Sequence, residues 1–165
     1  MRILGIDPGL QRTGYGVIDV PAGVGAPHLV EAGVVRTDAK LSLPERLLEI
    51  ESGLASVIEE FRPEAVAVEE LYSHYAHPRT AILMGHARGV AILVAARLRV
   101  PVVSYNATKI KKALVGSGHA SKEQVQRAIQ SVFRLATPPQ PPDVADALAA
   151  ALCHVYRATR AAGVR

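Results

Sequence analysis

Cysteine is almost absent from this sequence, and long hydrophobic runs are absent too. Cys153 is the single cysteine among 165 residues, which excludes an internal disulfide and a zinc site built from several cysteines. Its apolar neighbours predict a buried thiol, and one free thiol fits a reducing cytoplasm. The longest nearly uncharged stretch, around residues 89–96, is shorter than the ~20 residues that span a bilayer. We therefore expect a cytoplasmic protein without a signal peptide or membrane span.

Acidic residues are scarce in the second part of the chain. Residues 1–104 contain 10 Lys and Arg against 12 Asp and Glu, whereas residues 105–165 contain 9 against 3. The second part thus carries a net charge of +6, and this asymmetry favours a phosphate-rich partner such as nucleic acid. Hydrophobic residues make up 49% of the sequence, which is enough for a single domain over residues 1–165 with its own core.

The order of predicted elements is that of an α/β fold. Short strands at 2–7, 14–20 and 29–36 predict an antiparallel meander. A helix at 44–61 has apolar residues at intervals of three and four, and the strand in RPEAVAVEE that follows it predicts a parallel crossover onto the first sheet. The remaining elements are a helix from Pro78 to about Arg99, a strand in VPVVSY, helices at 107–115 and 121–133, and a final helix at 143–160. These elements predict a five-stranded mixed sheet flanked by helices.

Carboxylates stand at three places where apolar runs end or a helix begins. Asp7 follows RILGI, Glu69 and Glu70 follow AVAV, and Asp143 and Asp146 open the last helix three residues apart. If the first and fourth strands pair, Asp7 and one of the two glutamates are neighbours, while residues three apart share one face of a helix. Clustered carboxylates need a cation, and oxygen ligands select Mg²⁺ or Mn²⁺. Two such ions about 4 Å apart can activate water and stabilise a leaving oxygen, which favours a metal-dependent nuclease.

Each acid also has a simpler structural interpretation. Asp7 can open a turn with the Pro-Gly that follows it, and Asp143 can cap the last helix. Glu69 and Glu70 can form a solvated strand end, and alternation lets only one of them face a site. The nuclease hypothesis therefore depends on the coincidence of all three places.

Small residues recur at two places where close approach is expected. Gly14 and Gly16 either let DNA or a metal ion approach the backbone or mark a bulge in a strand. In the second helix, Ala81, Gly85 and Gly89 are spaced by four and form a ridge on which another backbone can pack. That ridge is either a dimer interface or a face packed on the protein's own sheet.

Five segments resemble, in order and spacing, the RuvC family of Holliday junction resolvases: GIDPGLQRTGYGVI, VAVEELY, GHARGVA, KIKKALVGSGHASKEQVQ and DVADALAAALCH. Each segment alone is weak, but the ordered set covers nearly the whole chain. The resemblance implies an RNase H-like fold and four metal-binding catalytic acids, Asp7, Glu69, Asp143 and Asp146. It selects Glu69 over Glu70, a choice that the strand pattern leaves open. Some relatives have histidine at the position of Asp143, so an all-carboxylate site is expected here.

The same resemblance implies a reaction and its partners. Water activated by two Mg²⁺ ions, for which Mn²⁺ can substitute, would hydrolyse a phosphodiester and leave 5′-phosphate and 3′-hydroxyl ends. Symmetric cuts in a four-way DNA junction imply two active sites and hence a homodimer. A RuvA–RuvB type branch-migration complex is the expected partner in homologous recombination and DNA repair.

Candidate DNA-binding lysines flank the loop GSGHA. Lys109, Lys111 and Lys112 precede this loop and Lys122 follows it. The family's motifs place lysines that contact DNA or support the active site at Lys111 and Lys122. The alternative is a solvated helix face without a ligand.

The segment LYSHYAHPRT, residues 71–80, departs from the family in length and residue type. Tyr72 lies near a position where relatives carry an aromatic residue that stacks on unpaired bases, and Tyr75 offers a second ring. Arg79 is a further candidate for a phosphate contact. His74 and His77 fit an ordinary loop surface better than a zinc site.

Three other kinds of protein share parts of this pattern. An actin-like ATPase also opens with a GIDxG-type strand, but it needs a second domain that repeats the motif, and no repeat is present in these 165 residues. A junction-binding module without chemistry has no need for all four acids. A nuclease of the same fold could act on RNA or on another DNA structure, but motifs along the whole chain favour junction DNA.

Overall fold

Within residues 1–21, 25–71 and 78–162, which the computed structural model describes, the chain forms five strands and five helices in the predicted order. The strands are β1 Arg2–Asp7, β2 Arg12–Asp19, β3 His28–Arg36, β4 Ala65–Glu69 and β5 Val102–Tyr105. The helices are α1 Leu43–Phe61, α2 Pro78–Arg97, α3 Ala107–Val115, α4 Lys122–Val132 and α5 Pro142–Ala162. The predicted fold class, a five-stranded mixed sheet flanked by helices, is confirmed.

The sheet has the order β3-β2-β1-β4-β5, with β1 at its centre. Strands β1, β2 and β3 form the predicted antiparallel meander, while β4 pairs in parallel with β1 and β5 in parallel with β4. The register between β1 and β4 ends with Ile6 opposite Val68. Asp7 and Glu69 are the next residues of their strands, so their backbones lie side by side where the two parallel strands end.

Helices cover both faces of the sheet because β1 and β4 are apolar on both sides. One core layer is formed by α5 with α3 and α4, and the other by α1 and α2. A capping box opens α4: the Ser121 backbone N–H donates to the Gln124 side chain at 2.8 Å, and the Gln124 N–H donates to Ser121 Oγ at 3.2 Å. Cys153 is buried in the α5 layer, as predicted.

Helix α5 lies unusually close to β1 and β2 because glycines face it. A Cβ atom at Gly5 would collide with the backbone oxygen of Ala147, and one at Gly14 would collide with the backbone oxygen of Asp143. Gly16 likewise faces an α5 side chain. These contacts fix the position of the first turns of α5 relative to the end of β1.

This packing gives a reason for Gly14 and Gly16 that differs from both sequence interpretations. The two glycines make room for α5, and the register shift in the pairing of β2 with β3 lies beyond them, between Val17 and Ile18. The glycines therefore contribute to the site through the backbone of α5.

Helix α2 differs from the sequence expectation about membrane spans. By length and composition it could cross a bilayer, with a mean hydropathy of 1.2 over 18 residues, of which only 22% are buried. Arg88, near its middle, donates hydrogen bonds to Glu69 and Ser104, which ties the helix to the sheet. Its outer face is apolar, with Ile82 62% exposed and Leu93 55% exposed.

Candidate active site

The four predicted acids line one cavity of about 510 Å³ at the carboxyl ends of β1 and β4. Asp7 and Glu69 are the last residues of adjacent strands, and Asp143 and Asp146 project from the beginning of α5. Because α5 begins at Pro142, Asp143 lies inside the first turn and not at the capping position. Residues far apart in the sequence therefore converge on one cavity.

The carboxylates of this cavity destabilise one another's charged forms. Burial and the charges of the other three acids raise the pKa of Asp7 to about 8. Burial, followed by the charge of Asp146, raises the pKa of Glu69 to about 7. Burial also raises the pKa of Asp146, although Lys122 opposes this effect. A cation placed among these groups would relieve both the desolvation and the repulsion.

Three basic side chains line the same cavity. Lys122 Nζ lies 3.8 Å from Asp146 Oδ2, and the lysine side chain is 74% exposed, so it can reach a ligand as well. Lys111 also lines the cavity, where its charge opposes the rise in the pKa of Glu69. Arg12 places its Nε 3.5 Å from Asp143 Oδ2.

Arg12 is a candidate that the sequence reasoning missed. It is the first residue of β2, and the hairpin pairs Asp7 at the end of β1 with Gly14 of β2. The predicted meander already contained this signal, because the start of the second strand of a hairpin lies beside the end of the first.

Arg88, from the segment GHARGVA, is a second residue that the sequence reasoning did not place in the site. Its Nε donates to the backbone oxygen of Glu69 at 3.2 Å, and its Nη2 donates to Ser104 Oγ at 2.7 Å. The backbone N–H of Glu70 donates to the Tyr105 oxygen at 2.9 Å. The end of β4, and with it the direction of the Glu69 side chain, is thus held by α2 and β5.

The donor chemistry of the cavity fits a divalent cation that prefers oxygen. All four candidate ligands are carboxylates, and burial followed by the repulsion of like charges raises the pKa of both Asp7 and Glu69. As the side chains stand, no three His, Cys, Asp or Glu groups in the described parts of the chain are gathered closely enough to hold one ion. Holding one ion therefore requires these side chains to move toward a common point.

The other predicted site residues lie outside this cavity or outside the described residues. Lys109 is exposed on α3 and Arg79 is exposed on the first turn of α2, and neither lines the cavity. Their DNA contacts stay predictions. Tyr72, like His74 and His77, falls in residues 72–77, outside the described parts of the chain.

A mixed sheet with acids at the carboxyl ends of two adjacent parallel strands, flanked by helices, defines an RNase H-like nuclease. Residues 3–154 match the family model described as crossover junction endodeoxyribonuclease RuvC. A RuvC from Rhodopirellula baltica is 49% identical over 158 residues, which cover 94% of this chain and 86% of that protein. The chain belongs to the RuvC family, and this membership implies use of a divalent metal ion.

Solved structures agree with this assignment. The structure of Thermus thermophilus RuvC is 38% identical with a TM-score of 0.89, and the match covers 98% of this chain and 97% of that one. A structure of T. thermophilus RuvC in complex with a Holliday junction substrate is 37% identical with a TM-score of 0.88, covering 98% and 96% of the two chains. The recognised motifs therefore lie on the family's fold.

Proposed function

We propose that this protein is a crossover junction endonuclease that resolves four-way DNA junctions by paired symmetric nicks, in homologous recombination and DNA repair. The observation that carries the proposal is the single cavity in which four carboxylates lie beside Lys111 and Lys122 in a member of the RuvC family. The T. thermophilus relative has been solved with a Holliday junction substrate. In each nick, water attacks phosphorus, the bond from phosphorus to the 3′-oxygen breaks, and that oxygen takes a proton. The ends are a 5′-phosphate and a 3′-hydroxyl, which a ligase can rejoin.

We propose that Asp7, Glu69, Asp143 and Asp146 hold two Mg²⁺ ions, for which Mn²⁺ can substitute. Bound in this way, the ions would supply activation of the attacking water and stabilisation of the leaving oxygen. The protein supplies the rest. The acids orient the reacting groups, the bond from Arg88 to the Glu69 carbonyl keeps that strand end in place, and the cavity lysines bind phosphate.

A cleavage assay distinguishes this function from its alternatives. Purified protein is incubated with a mobile four-way junction and with linear duplex, each with and without Mg²⁺. We expect symmetric nicks in the junction only, and only with the metal ion. A binding module without chemistry would shift the junction in a gel but leave it uncut, and a nuclease for another structure would cut the duplex or single strands at a comparable rate.

Replacing Lys111 or Lys122 by Gln should weaken junction binding and flatten its dependence on salt. Each lost phosphate contact should lower the slope of log affinity against log salt by about 0.7 to 0.9, because fewer counterions are released on binding. Fluorescence anisotropy between 50 and 200 mM salt, a range of about fourfold, measures the slope. Arg99→Gln is the matched control, because it removes one positive charge from an exposed position after the end of α2 that does not line the cavity. A slope unchanged from that of the wild type would remove the two lysines from the interface.

We also propose a homodimer that forms through the outer face of α2. Ile82 and Leu93 are exposed there, and among the described residues a Cβ atom at Gly85 or Gly89 would meet nothing within 4 Å. The small-residue ridge therefore does not pack on the protein's own sheet and is available to a second copy. Two copies would supply the two active sites that paired nicks require.

Gly89→Leu should break this dimer without unfolding the monomer. The substitution has open space around it in the described parts of the chain, and it removes a glycine from a helix interior, which should stabilise α2 by about 1 kcal/mol. Analytical ultracentrifugation should show a shift from dimer to monomer, and the second nick should no longer follow the first rapidly. Ser52→Leu adds similar bulk at an exposed position of α1 and should leave the dimer intact. Equal dimerisation by Gly89→Leu and the wild type would exclude this face.

We further propose that the protein works in the cytoplasm beside a RuvA–RuvB type branch-migration complex. The support for the partner is family membership, and the free thiol of Cys153 suits a reducing compartment. Co-sedimentation with a junction that carries such a complex tests the partnership directly.

A further inference from the structure

We propose that a second cleft beside the active-site cavity binds the backbone phosphate on the other side of the cut, with Arg12 as its anchor. We call it the arginine cleft and define it by Gln11, Arg12, Arg46, Thr80 and Leu83. The inference rests on the proposed function, because its ligand is the DNA strand that is cut.

The arginine cleft and the active-site cavity meet at the acids. The residues that line both are Asp7, Arg12, Met84 and Asp143. The cleft has a volume of about 490 Å³ and extends between the loop after β1 and the start of α2. Lys111 and Lys122 line only the active-site cavity. Arg12 begins β2 on one side of β1, whereas the charges of both lysines act on Glu69 at the end of β4, on the other side of β1.

Continuity of the DNA backbone places further phosphates next to the one that is cut. A strand whose scissile phosphate lies over Asp7 must place a further phosphate on each side of it. On one side the cavity offers lysines, and on the other the cleft offers two arginines and the polar side chains of Gln11 and Thr80. Without cations there, phosphates would face only the negative charges of the acids.

The guanidinium of Arg12 has N–H groups on its Nη atoms that can bind a ligand. Its side chain is 45% exposed, and in the described parts of the chain its one polar contact is the 3.5 Å approach of Nε to Asp143 Oδ2. Guanidinium carries five N–H groups in a planar fork that matches two phosphate oxygens. The Nη groups can therefore bind phosphate while Nε stays near Asp143.

The wall of the cleft is held in place by hydrogen bonds within the protein. Arg46 donates to Leu10 O at 3.3 Å and to Thr37 Oγ1 at 2.9 Å, and Thr37 Oγ1 donates to the same Leu10 oxygen at 2.7 Å. Thr13 Oγ1 donates to Gly9 O at 2.8 Å. These bonds hold the loop between β1 and β2, so Arg12 projects from a fixed backbone and loses little freedom on binding.

The competing interpretation is that Arg12 only neutralises Asp143. An exposed ion pair of this kind contributes little to stability and would not bind the substrate. The two interpretations predict different results in the Asp143→Asn variant, which has no ion pair at this place. If Arg12 binds phosphate, replacing it still weakens DNA binding in that variant, whereas a role confined to the ion pair predicts no further effect.

The test measures metal-free junction binding by Arg12→Gln in the Asp143→Asn background, between 50 and 200 mM salt. We expect Arg12→Gln to lower the salt slope by about 0.7 to 0.9, and Arg12→Lys to restore most of that slope. Arg36→Gln is the matched control, because Arg36 is exposed and pairs with Arg12 across β2 and β3 but lines neither cavity. It should leave the slope unchanged.

Junctions with a single uncharged methylphosphonate locate the contact. Wild-type binding should weaken when either phosphate next to the cut is neutral. In Arg12→Gln the sensitivity should vanish on one side of the cut, and in Lys122→Gln on the other. Equal slopes for Arg12→Gln and Arg36→Gln, with a wild type that cuts four-way junctions, would overturn the cleft assignment alone. A wild type that does not cut them would overturn the proposed function.

Discussion

Asp7→Asn is expected to lower the rate of junction cleavage by at least about 100-fold while leaving junction binding intact. Loss of a group that only orients a metal ligand typically costs 10- to 100-fold, so loss of the proposed ligand at the centre of the site should cost at least the upper end of that range. Asp7 is the acid whose pKa responds to all three of the others, which places it centrally among them. Binding should persist because the change removes a negative charge from a surface that receives phosphates.

Single-turnover cleavage at saturating Mg²⁺, together with anisotropy measurements on uncut junctions, measures both quantities. Glu70→Gln is the matched control, since Glu70 is adjacent in sequence to the candidate ligand Glu69 but does not line the cavity. It should cut within about twofold of the wild-type rate. Cleavage by Asp7→Asn within threefold of wild type would remove Asp7 from the chemistry.

The same substitution is expected to stabilise the metal-free protein at alkaline pH. The pKa of Asp7 rises from its ordinary value of 3.8 to about 8 in the folded protein. Between these values the folded state binds a proton that the unfolded chain releases, so folding stability falls as pH rises from about 4 to about 8. Asparagine carries no charge at any pH and escapes this loss.

The size of the effect follows from the same shift. A pKa unit corresponds to about 1.4 kcal/mol of folding free energy. Because water enters the partly open cavity, we expect Asp7→Asn to gain less than the full pKa shift would give, about 2–3 kcal/mol. In a protein of this length such a gain corresponds to an increase in Tm of about 5–10 °C.

Thermal unfolding in EDTA at pH 5 and pH 8.5 tests this prediction. Asp7→Asn should melt well above wild type at pH 8.5 and within about 2 °C of it at pH 5. Glu59→Gln, a change at an exposed position of α1, should show no such dependence on pH. Added Mg²⁺ should stabilise wild type more than Asp7→Asn, because a ligand that binds the folded state stabilises it by mass action. A variant that is less stable than wild type at pH 8.5 would contradict the crowding of charge at Asp7.

The acids of the site could be predicted because they depend on rules that act along the chain. A strand that follows a helix crosses over in parallel to its neighbour, and this rule brings Asp7 beside the end of β4, where Glu69 and Glu70 lie. Helical spacing gives Asp143 and Asp146 a common face. The choice between Glu69 and Glu70 came from the resemblance, since alternation does not state which residue faces the cavity.

Arg12 and Arg88 could not be assigned in this way, because their roles depend on contacts between elements. The bond from Arg88 to the Glu69 carbonyl depends on which side of α2 faces the sheet. The weak amphipathic pattern of that helix does not determine this orientation. The role of Gly14 likewise depends on its contact with the backbone of α5, which the sequence alone does not reveal. Burial patterns predict which face is apolar, but they do not predict which backbones touch.

The contact of α5 with the glycines of β1 and β2 has a consequence for how the enzyme can change. At Gly5 and Gly14 main-chain atoms of the strands and of α5 meet without intervening side chains, so the spacing between the two halves of the site is kept by every variant that retains these two glycines. Changes in loop length or surface charge leave these contacts intact. Such changes can therefore alter which DNA structure is bound without displacing the four acids. One added methyl group at Gly14 would do the reverse, because it would displace Asp143 while leaving the exterior of the protein unaltered.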